Sequence, residues 1–212
     1  MKSKSTFIVS IAFTTCALVF PGLVSAQSSP NNSAADLSAT PAGAQSEASQ
    51  MVPAQAVLDK GIDAKKVQPG QQFRATLTDA VTLKNGTELP KDTVLVGTIA
   101  TDQMASGGTS TLALRFTKAQ LKSGKVLPIR ADIMGITGPS DGVPSESYTA
   151  NYGVTPWDGQ SLRVDEPGAV SGFDLHSTIG GQNSAQFVST KKDDVKLSAG
   201  SQIALAIAAL NA

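Results

Sequence analysis

After Val57 the chain alternates bulky apolar and polar residues in short runs, each closed by glycine, proline or another turn former. A period of two with frequent breaks predicts strands rather than helices. The predicted strands are Phe73 to Thr78, Ala80 to Leu83, Thr87 to Leu89, Val94 to Ala100, Thr111 to Thr117, Ala119 to Leu121, Val126 to Met134, Ala169 to Leu175, Ala185 to Ser189, Val195 to Leu197 and Gln202 to Ala208. No long segment carries the 3.6-residue period that a helical crossover needs, so neighbouring strands are expected to run antiparallel. The expected fold is all-β, a single small antiparallel barrel or sandwich. Its last strand is ambiguous, because Ala204, Ala206, Ala208 and Ala209 favour helix. Ile203, Leu205 and Ile207 nevertheless alternate strictly with those alanines and give one bulky and one small face. The small face would lie against another layer or sit at a tolerated edge.

A hairpin repeats within this pattern. Leu83-Lys84-Asn85-Gly86 returns 38 residues later as Leu121-Lys122-Ser123-Gly124, and Leu197-Ser198-Ala199-Gly200 echoes it near the end. A two-residue loop at Asn85-Gly86 would set Leu83 opposite Glu88 and turn Leu89 to the other face. A three-residue loop, with the glycine left-handed in a bulge, pairs Leu83 with Thr87 and Val81 with Leu89. Val81, Leu83 and Leu89 then share one face. The same register pairs Leu121 with Lys125 and Ala119 with Leu127, then Leu197 with Ser201 and Val195 with Ile203. Gly86, Gly124 and Gly200 are therefore read as structural turns, and a phosphate-cradling role is set aside because no helix follows them. A four-copy array fails at Gly159-Gln160-Ser161-Leu162, which leaves a pseudo-repeat. Pro90 and Pro128 follow the first two copies and mark edges, bulges or strand starts.

The N-terminal part reads differently. Lys2 and Lys4 precede an apolar stretch from Phe7 to Phe20, and Val24-Ser25-Ala26 is a small-residue cleavage site. This is the layout of a secretory signal peptide over residues 1–26. A retained anchor is the weaker alternative, since Ser10, Thr14 and Thr15 interrupt a stretch shorter than the roughly 20 residues a span requires. Residues 27–56 are mostly Ser, Ala, Gln, Asn and Pro with no aromatic, so a disordered linker is expected there. It either spaces the domain from the envelope surface or has no selected length. The β domain would then occupy residues 57–212. Cys16, the only cysteine, falls inside the expected signal peptide. Disulfides, thiolate metal sites and cysteine nucleophiles drop out together. Without Lys2 and Lys4, 15 of the 17 basic residues face 17 acidic ones, a net charge of −2 with no dense basic run. That balance speaks against nucleic-acid binding.

Four stretches carry a resemblance: Ile62-Asp63-Ala64-Lys65-Lys66-Val67-Gln68-Pro69-Gly70, Leu89-Pro90-Lys91-Asp92-Thr93-Val94-Leu95-Val96-Gly97, Leu114-Arg115-Phe116, and the closing Phe187 to Leu205. Together they resemble a family of uncharacterised exported bacterial proteins of acidobacterial type, which combine a signal peptide, a variable spacer and one β domain. The resemblance covers most of the chain after Val57. Asp92 stands where that family usually has glycine, which would change the turn without removing it. Leu89 to Gly97 followed by Leu114 to Leu121 is also similar, in strand and turn grammar alone, to the barrel domain of the TrbI/VirB10 group. That second resemblance implies a barrel; the group's membrane anchor and membrane-crossing helical insertion have no counterpart in the sequence, and its channel function is not carried over.

Candidate chemistry is sparse. His176, the only histidine, stands two residues from Asp174, and with a distant serine the pair could form a nucleophile, base and orienter. Positions i and i+2 of a strand share a face in any case, and no nucleophile elbow accompanies them. One histidine and no cysteine leave only carboxylates to complete a zinc site. Asp165-Glu166 and Asp193-Asp194 stand in no recognisable oxygen-ligand loop and read as solvated turn residues, the second pair joining Lys191-Lys192 in a mixed-sign turn. No metal and no cofactor is expected. Thr137 to Gln160 is long for a connection, rich in Gly, Pro, Ser and Asp, and holds every Tyr and Trp of the chain. Tyr148, Tyr152 and Trp157 are the candidate binding residues, with amphipathic rings suited to an envelope glycan, a peptide or a protein. Alternatively the loop folds back and its rings plug an open barrel end.

The expected function is that of a non-enzymatic, exported module of the cell envelope, periplasmic or secreted, with a binding or structural role and no integral membrane span after signal cleavage. Two alternatives stay open: a hydrolase of envelope polymers using His176 and Asp174, and a structural component of a secretion-type assembly.

Overall fold

The structure, a computed structural model, describes residues 42–104, 110–139, 154–170, 173–189 and 195–210. The expected signal peptide, the first part of the expected linker, Tyr148, Tyr152, Lys191-Lys192 and Asp193-Asp194 lie outside them. Alternation produces strands as expected. In chain order they are β1 (Val52–Leu58), β2 (Ile62–Asp63), β3 (Gln72–Leu77), β4 (Val81–Thr82), β5 (Glu88–Leu89), β6 (Val94–Met104), β7 (Ser110–Gln120), β8 (Val126–Pro139), β9 (Arg163–Val170), β10 (Phe173–Thr178), β11 (Ala185–Ser189), β12 (Lys196–Leu197) and β13 (Ser201–Ala209), preceded by a short helix α1 (Ala42–Ala48).

Antiparallel ladders join β6 to β3, β3 to β1, β1 to β13, β13 to β8, β8 to β7 and β7 back to β6. Six strands therefore close a barrel, and closure removes the open edges that would invite aggregation. The second edge of β7 also takes β11, which carries β10 and then β9. Two small ladders, β4 with β5 and β2 with β12, stand apart from the main sheet. The inward side chains include Leu58, Leu77, Leu95, Leu114, Ile133 and Leu205, all essentially without solvent contact. Each such burial is worth roughly 1.5–3 kcal/mol, which is how a chain with no disulfide in its domain holds together.

The first two hairpins have the expected register. Val81 faces Leu89, the Leu83 N–H donates to Thr87 O at 2.9 Å, and Gly86 closes the turn on Leu83 O at φ +80°. In the second copy Ala119 faces Leu127, the Leu121 N–H donates to Lys125 O at 2.9 Å, and Gly124 has φ +84°. The third copy departs. Gly200 keeps φ +80°, but its N–H donates to Leu58 O, and β12 leaves the turn to pair with β2 instead of β13. Strand β13 already has β1 on one edge and β8 on the other, so no edge remains for β12. Asp92, at the position where the resemblance expects glycine, adopts φ +65° and is the one non-glycine residue with positive φ among the described residues.

Helix α1 and the greater part of strand β1 lie inside the stretch expected to be linker, so the folded domain begins earlier than Val57. The inward residues of β1 are mainly alanines, and they match bulky partners: Ala54 faces Leu205 and Ala56 faces Ile203. Small opposite large fills the barrel without a strong hydrophobic signal in the strand that supplies the small residues. The two strands expected at Thr111–Thr117 and Ala119–Leu121 are one strand, broken in pattern by a bulge at Thr117 between the pairs Phe116–Gly97 and Lys118–Val96. The strand expected from Ala169 to Leu175 is instead the end of β9 and the start of β10, with Val170 facing Phe173.

Strand β13 is buried on both faces. Ile203, Leu205 and Ile207 fill the barrel, while Ala206 and Ala208 pack outward under Ala48, Met51, Trp157 and Ile179. Of the two readings of the small face, the covering layer is the one realised.

Candidate functional site: a fork in the barrel wall

Strands β7 and β8 leave their shared turn zipped together, but their ladder ends at Lys118–Pro128. Beyond it β7 turns to β11, starting at the pair Leu114–Ala185. The bulge at Thr117 falls where the strands part, and a bulge bends its strand and increases its twist. Gly97 makes this bend possible from behind: a Cβ there would lie 2.4 Å from the Phe73 ring and 2.7 Å from Arg115 O.

Ser184 holds the fork open. Its N–H donates to Leu114 O (2.8 Å), its carbonyl accepts the Ile133 N–H (2.8 Å), and its Oγ accepts the Phe116 N–H (2.9 Å). One buried serine thus bonds both diverging strands, and the Ser177 hydroxyl donates to the same carbonyl at 3.0 Å.

Between the strands lies a groove of about 610 Å³. Arg115 and Thr117 form one wall, and Arg130 and Asp132 the other. The turn 181–184 and Leu210 close its ends, and the buried Phe116 and Ile129 form an apolar floor. Asp132 is 1% exposed. Burial pushes its carboxyl up to about 7, against the pull of the Arg130 guanidinium and of the Gly180 N–H, which donates to Oδ2 at 3.3 Å. Arg130 is fully committed: Nη1 lies 2.7 Å from Glu47 Oε2 on α1, Nη2 donates to Gly181 O, and Nε lies 3.6 Å from Asp132 Oδ2. Arg115 is loosely held, with one 3.4 Å bond from Nη2 to Asn183 Oδ1. The groove therefore presents one available guanidinium beside a carboxyl that is part protonated near neutrality. A buried carboxyl shifted this far, in a cleft, marks the strongest candidate site among the described residues.

Of the residues singled out from sequence, those described fall elsewhere. Trp157 is 5% exposed, donates its indole N–H to Ser161 O at 2.8 Å, and packs on the alanine face of β13. Its ring covers the outside of the barrel wall and offers no open platform. Asp158 caps the same segment, and the Ser161 and Gln160 N–H groups hold its carboxyl below the usual range. His176 and Asp174 share a face of β10 but do not pair. His176 Nδ1 lies 2.8 Å from Asp165 Oδ1 across the β9–β10 ladder, while Asp174 Oδ1 accepts the Gly168 N–H at 2.9 Å. His176 and Arg163, whose Nε lies 2.5 Å from Asp165 Oδ2, hold the Asp165 carboxyl below its ordinary value. No hydroxyl bonds the histidine among the described residues, so the orienting half of a triad stands without a nucleophile. Glu166 is exposed on β9. Among the described residues no three His, Cys, Asp or Glu side chains cluster to hold a metal, and no helix is long and apolar enough to cross a membrane.

Sequence reasoning missed Arg115, Arg130, Asp132, Asn183 and Ser184. One signal was present: Arg130 and Asp132 place opposite charges at i and i+2 inside the apolar run Val126 to Met134, on a strand whose other face is core. No family model matches this chain, and no curated protein matches it.

Proposed function

We propose that the protein is a non-enzymatic, exported β-barrel module of the cell envelope that binds its ligand in the β7–β8 fork. The observation that carries this reading is the groove itself, where a loosely held arginine and a buried carboxyl face each other across parted strands. Export is supported by Lys2, Lys4, the apolar stretch Phe7 to Phe20 and the Val24-Ser25-Ala26 site. A binding role is favoured over hydrolysis because His176 has an orienting carboxylate but no hydroxyl bonded to it among the described residues.

The test takes the full chain expressed in a bacterial host, followed by fractionation and N-terminal sequencing of the recovered protein. A mature form starting at Gln27 outside the cytoplasm is expected; an intact N-terminus retained in the cytoplasm contradicts export. The recovered protein is then offered fractionated peptidoglycan. Turnover abolished by His176→Ala would replace the binding reading with the hydrolase one.

A further inference from the structure

We propose that the fork groove takes the free carboxyl end of an extended peptide, which pairs as a short strand with β8 and places its carboxylate on Arg115. This rests on the binding reading above and specifies its ligand.

The main chain supplies the first reason. Leu210 N–H donates to Pro128 O, so even-numbered residues at this end of β8 turn their main-chain groups toward β13, and Ile133, whose N–H donates to Ser184 O, turns its own toward the fork. By the same alternation Ile129 and Ala131 turn theirs toward β7. Pro128 has no N–H, so its pairing with Lys118 is carried by the Ile129 N–H, which donates to Thr117 O. Beyond that bond the β7–β8 ladder has ended, and Ala131 faces the fork as a strand edge. A strand edge past the end of its ladder is where an added strand pairs.

Charge supplies the second reason. Arg130 spends its guanidinium on Glu47, Gly181 and Asp132, whereas Arg115 is anchored by a single long bond to Asn183. A planar guanidinium with its fork free is the natural partner of a carboxylate, by two parallel hydrogen bonds. Asp132 offers little opposition at or below neutral pH, because burial keeps much of it protonated. The other charges around it are Arg130 on its own strand and Glu47 on α1, which neutralise one another, and the Gly180 turn brings only a main-chain N–H.

The apolar surface decides against a sugar. Leu210 stands 49% exposed at the rim, suited to an aliphatic side chain, while Phe116 is buried and edge-on to Phe73 at 4.9 Å and 60°. Among the described residues no tyrosine or tryptophan lines the groove to stack a pyranose. The gap between Leu114 and Thr117 spans about 10 Å at strand spacing, enough for three residues of an extended chain.

The experiment titrates the full-length mature protein, by calorimetry at pH 6.5, with N-acetyl tetrapeptides ending in Ala, Val or Leu. Each is offered as free acid, as C-terminal amide, and with each backbone amide replaced in turn by an ester. An acidic trisaccharide of hexuronic acid is the comparison probe. The free acids are expected to bind, with affinity falling about tenfold for the amides, about tenfold for Arg115→Gln, and several-fold for at least one ester. Arg115 is exposed, so its variant is expected to keep the wild-type melting temperature. Equal binding of acid and amide, or an unchanged Arg115→Gln, overturns the carboxylate assignment. Full affinity of every ester analogue overturns strand pairing. Trisaccharide binding that depends on Arg115 while the peptides fail overturns the peptide and leaves the binding module standing. If neither probe binds, both readings fall.

Discussion

The two ends of the β7–β8 hairpin contain the same pair of strands in opposite conditions. At the turn, Leu121 with Lys125 and Ala119 with Leu127 satisfy one another, and Gly124 at φ +84° sets the register. A few residues further, Arg115 and Phe116 have parted from Ala131 and Asp132: Ser184 takes the Phe116 N–H, and the Gly180 turn and α1 hold the side chains of Asp132 and Arg130. The closed end is a local device and depends on one backbone conformation. The open end is assembled from distant parts of the chain and depends on close packing and on a buried polar hub. Substitutions at the two ends should therefore fail in different ways.

The largest effect is expected behind the fork. Gly97→Ala forces a methyl against the Phe73 ring and the Arg115 carbonyl, and should cost about 3 kcal/mol in chemical denaturation. A loss below about 1 kcal/mol would mean that the bend needs no such close approach. Next comes Ser184→Ala, which deprives the buried Phe116 N–H of its acceptor while leaving both main-chain bonds of the hub in place. The expected cost is about 2 kcal/mol. Wild-type stability in that variant would show the strands part without the serine's help. At the closed end a Cβ on Gly124 meets no atom within 4 Å, so Gly124→Ala costs backbone strain alone, about 1–2 kcal/mol. It should leave the fork's ligand affinity untouched, whereas Ser184→Ala should weaken it.

The pH dependence, graded where the substitutions are abrupt, is the most diagnostic of the open end. Asp132 titrates near 7 in the folded chain and near 4 unfolded, so its contribution is complete below about pH 4 and is lost as pH rises toward 7. Stability should fall over that window by at most about 1.4 kcal/mol per pH unit. Asp165 and Asp92, whose folded values are lowered, act in the opposite direction and below about pH 4, outside this window. Asp132→Asn should remove the downward component. Identical pH profiles for the variant and wild type would place the carboxyl in contact with solvent.

The same contrast separates what was legible in the sequence from what was not. The registers of the first two hairpins were readable because glycine at the third loop position and the leucines on one face are local constraints. The third copy carries the same glycine, yet its outcome depended on β13 already having two neighbours, which no local pattern records. Strand β1 was hidden by its alanines, whose burial makes sense only opposite Ile203 and Leu205. The bulge at Thr117 broke the alternation and made one strand look like two. At the candidate site, Arg130 and Asp132 announced themselves as charges in an apolar run, but Ser184 is an ordinary serine until two strands converge on it. The acidic partner of His176 was sought two residues away and lies across a ladder, eleven residues back in the chain. Trp157 carried an amphipathic ring in a polar stretch; its burial depends on the small residues of β13 beneath it.

The opening of the β7–β8 ladder is the claim on which the groove, its ligand and these contrasts depend, and amide hydrogen exchange resolved residue by residue in the ligand-free protein tests it most directly. The Leu121, Gly124 and Ile133 amides, each bonded to a main-chain carbonyl, should be protected. That of Ala131, facing the fork beyond the last ladder pair, should exchange at least about tenfold faster. Uniform protection from Leu121 through Ile133 would mean that the two strands are zipped along their whole length and that the fork does not exist in solution.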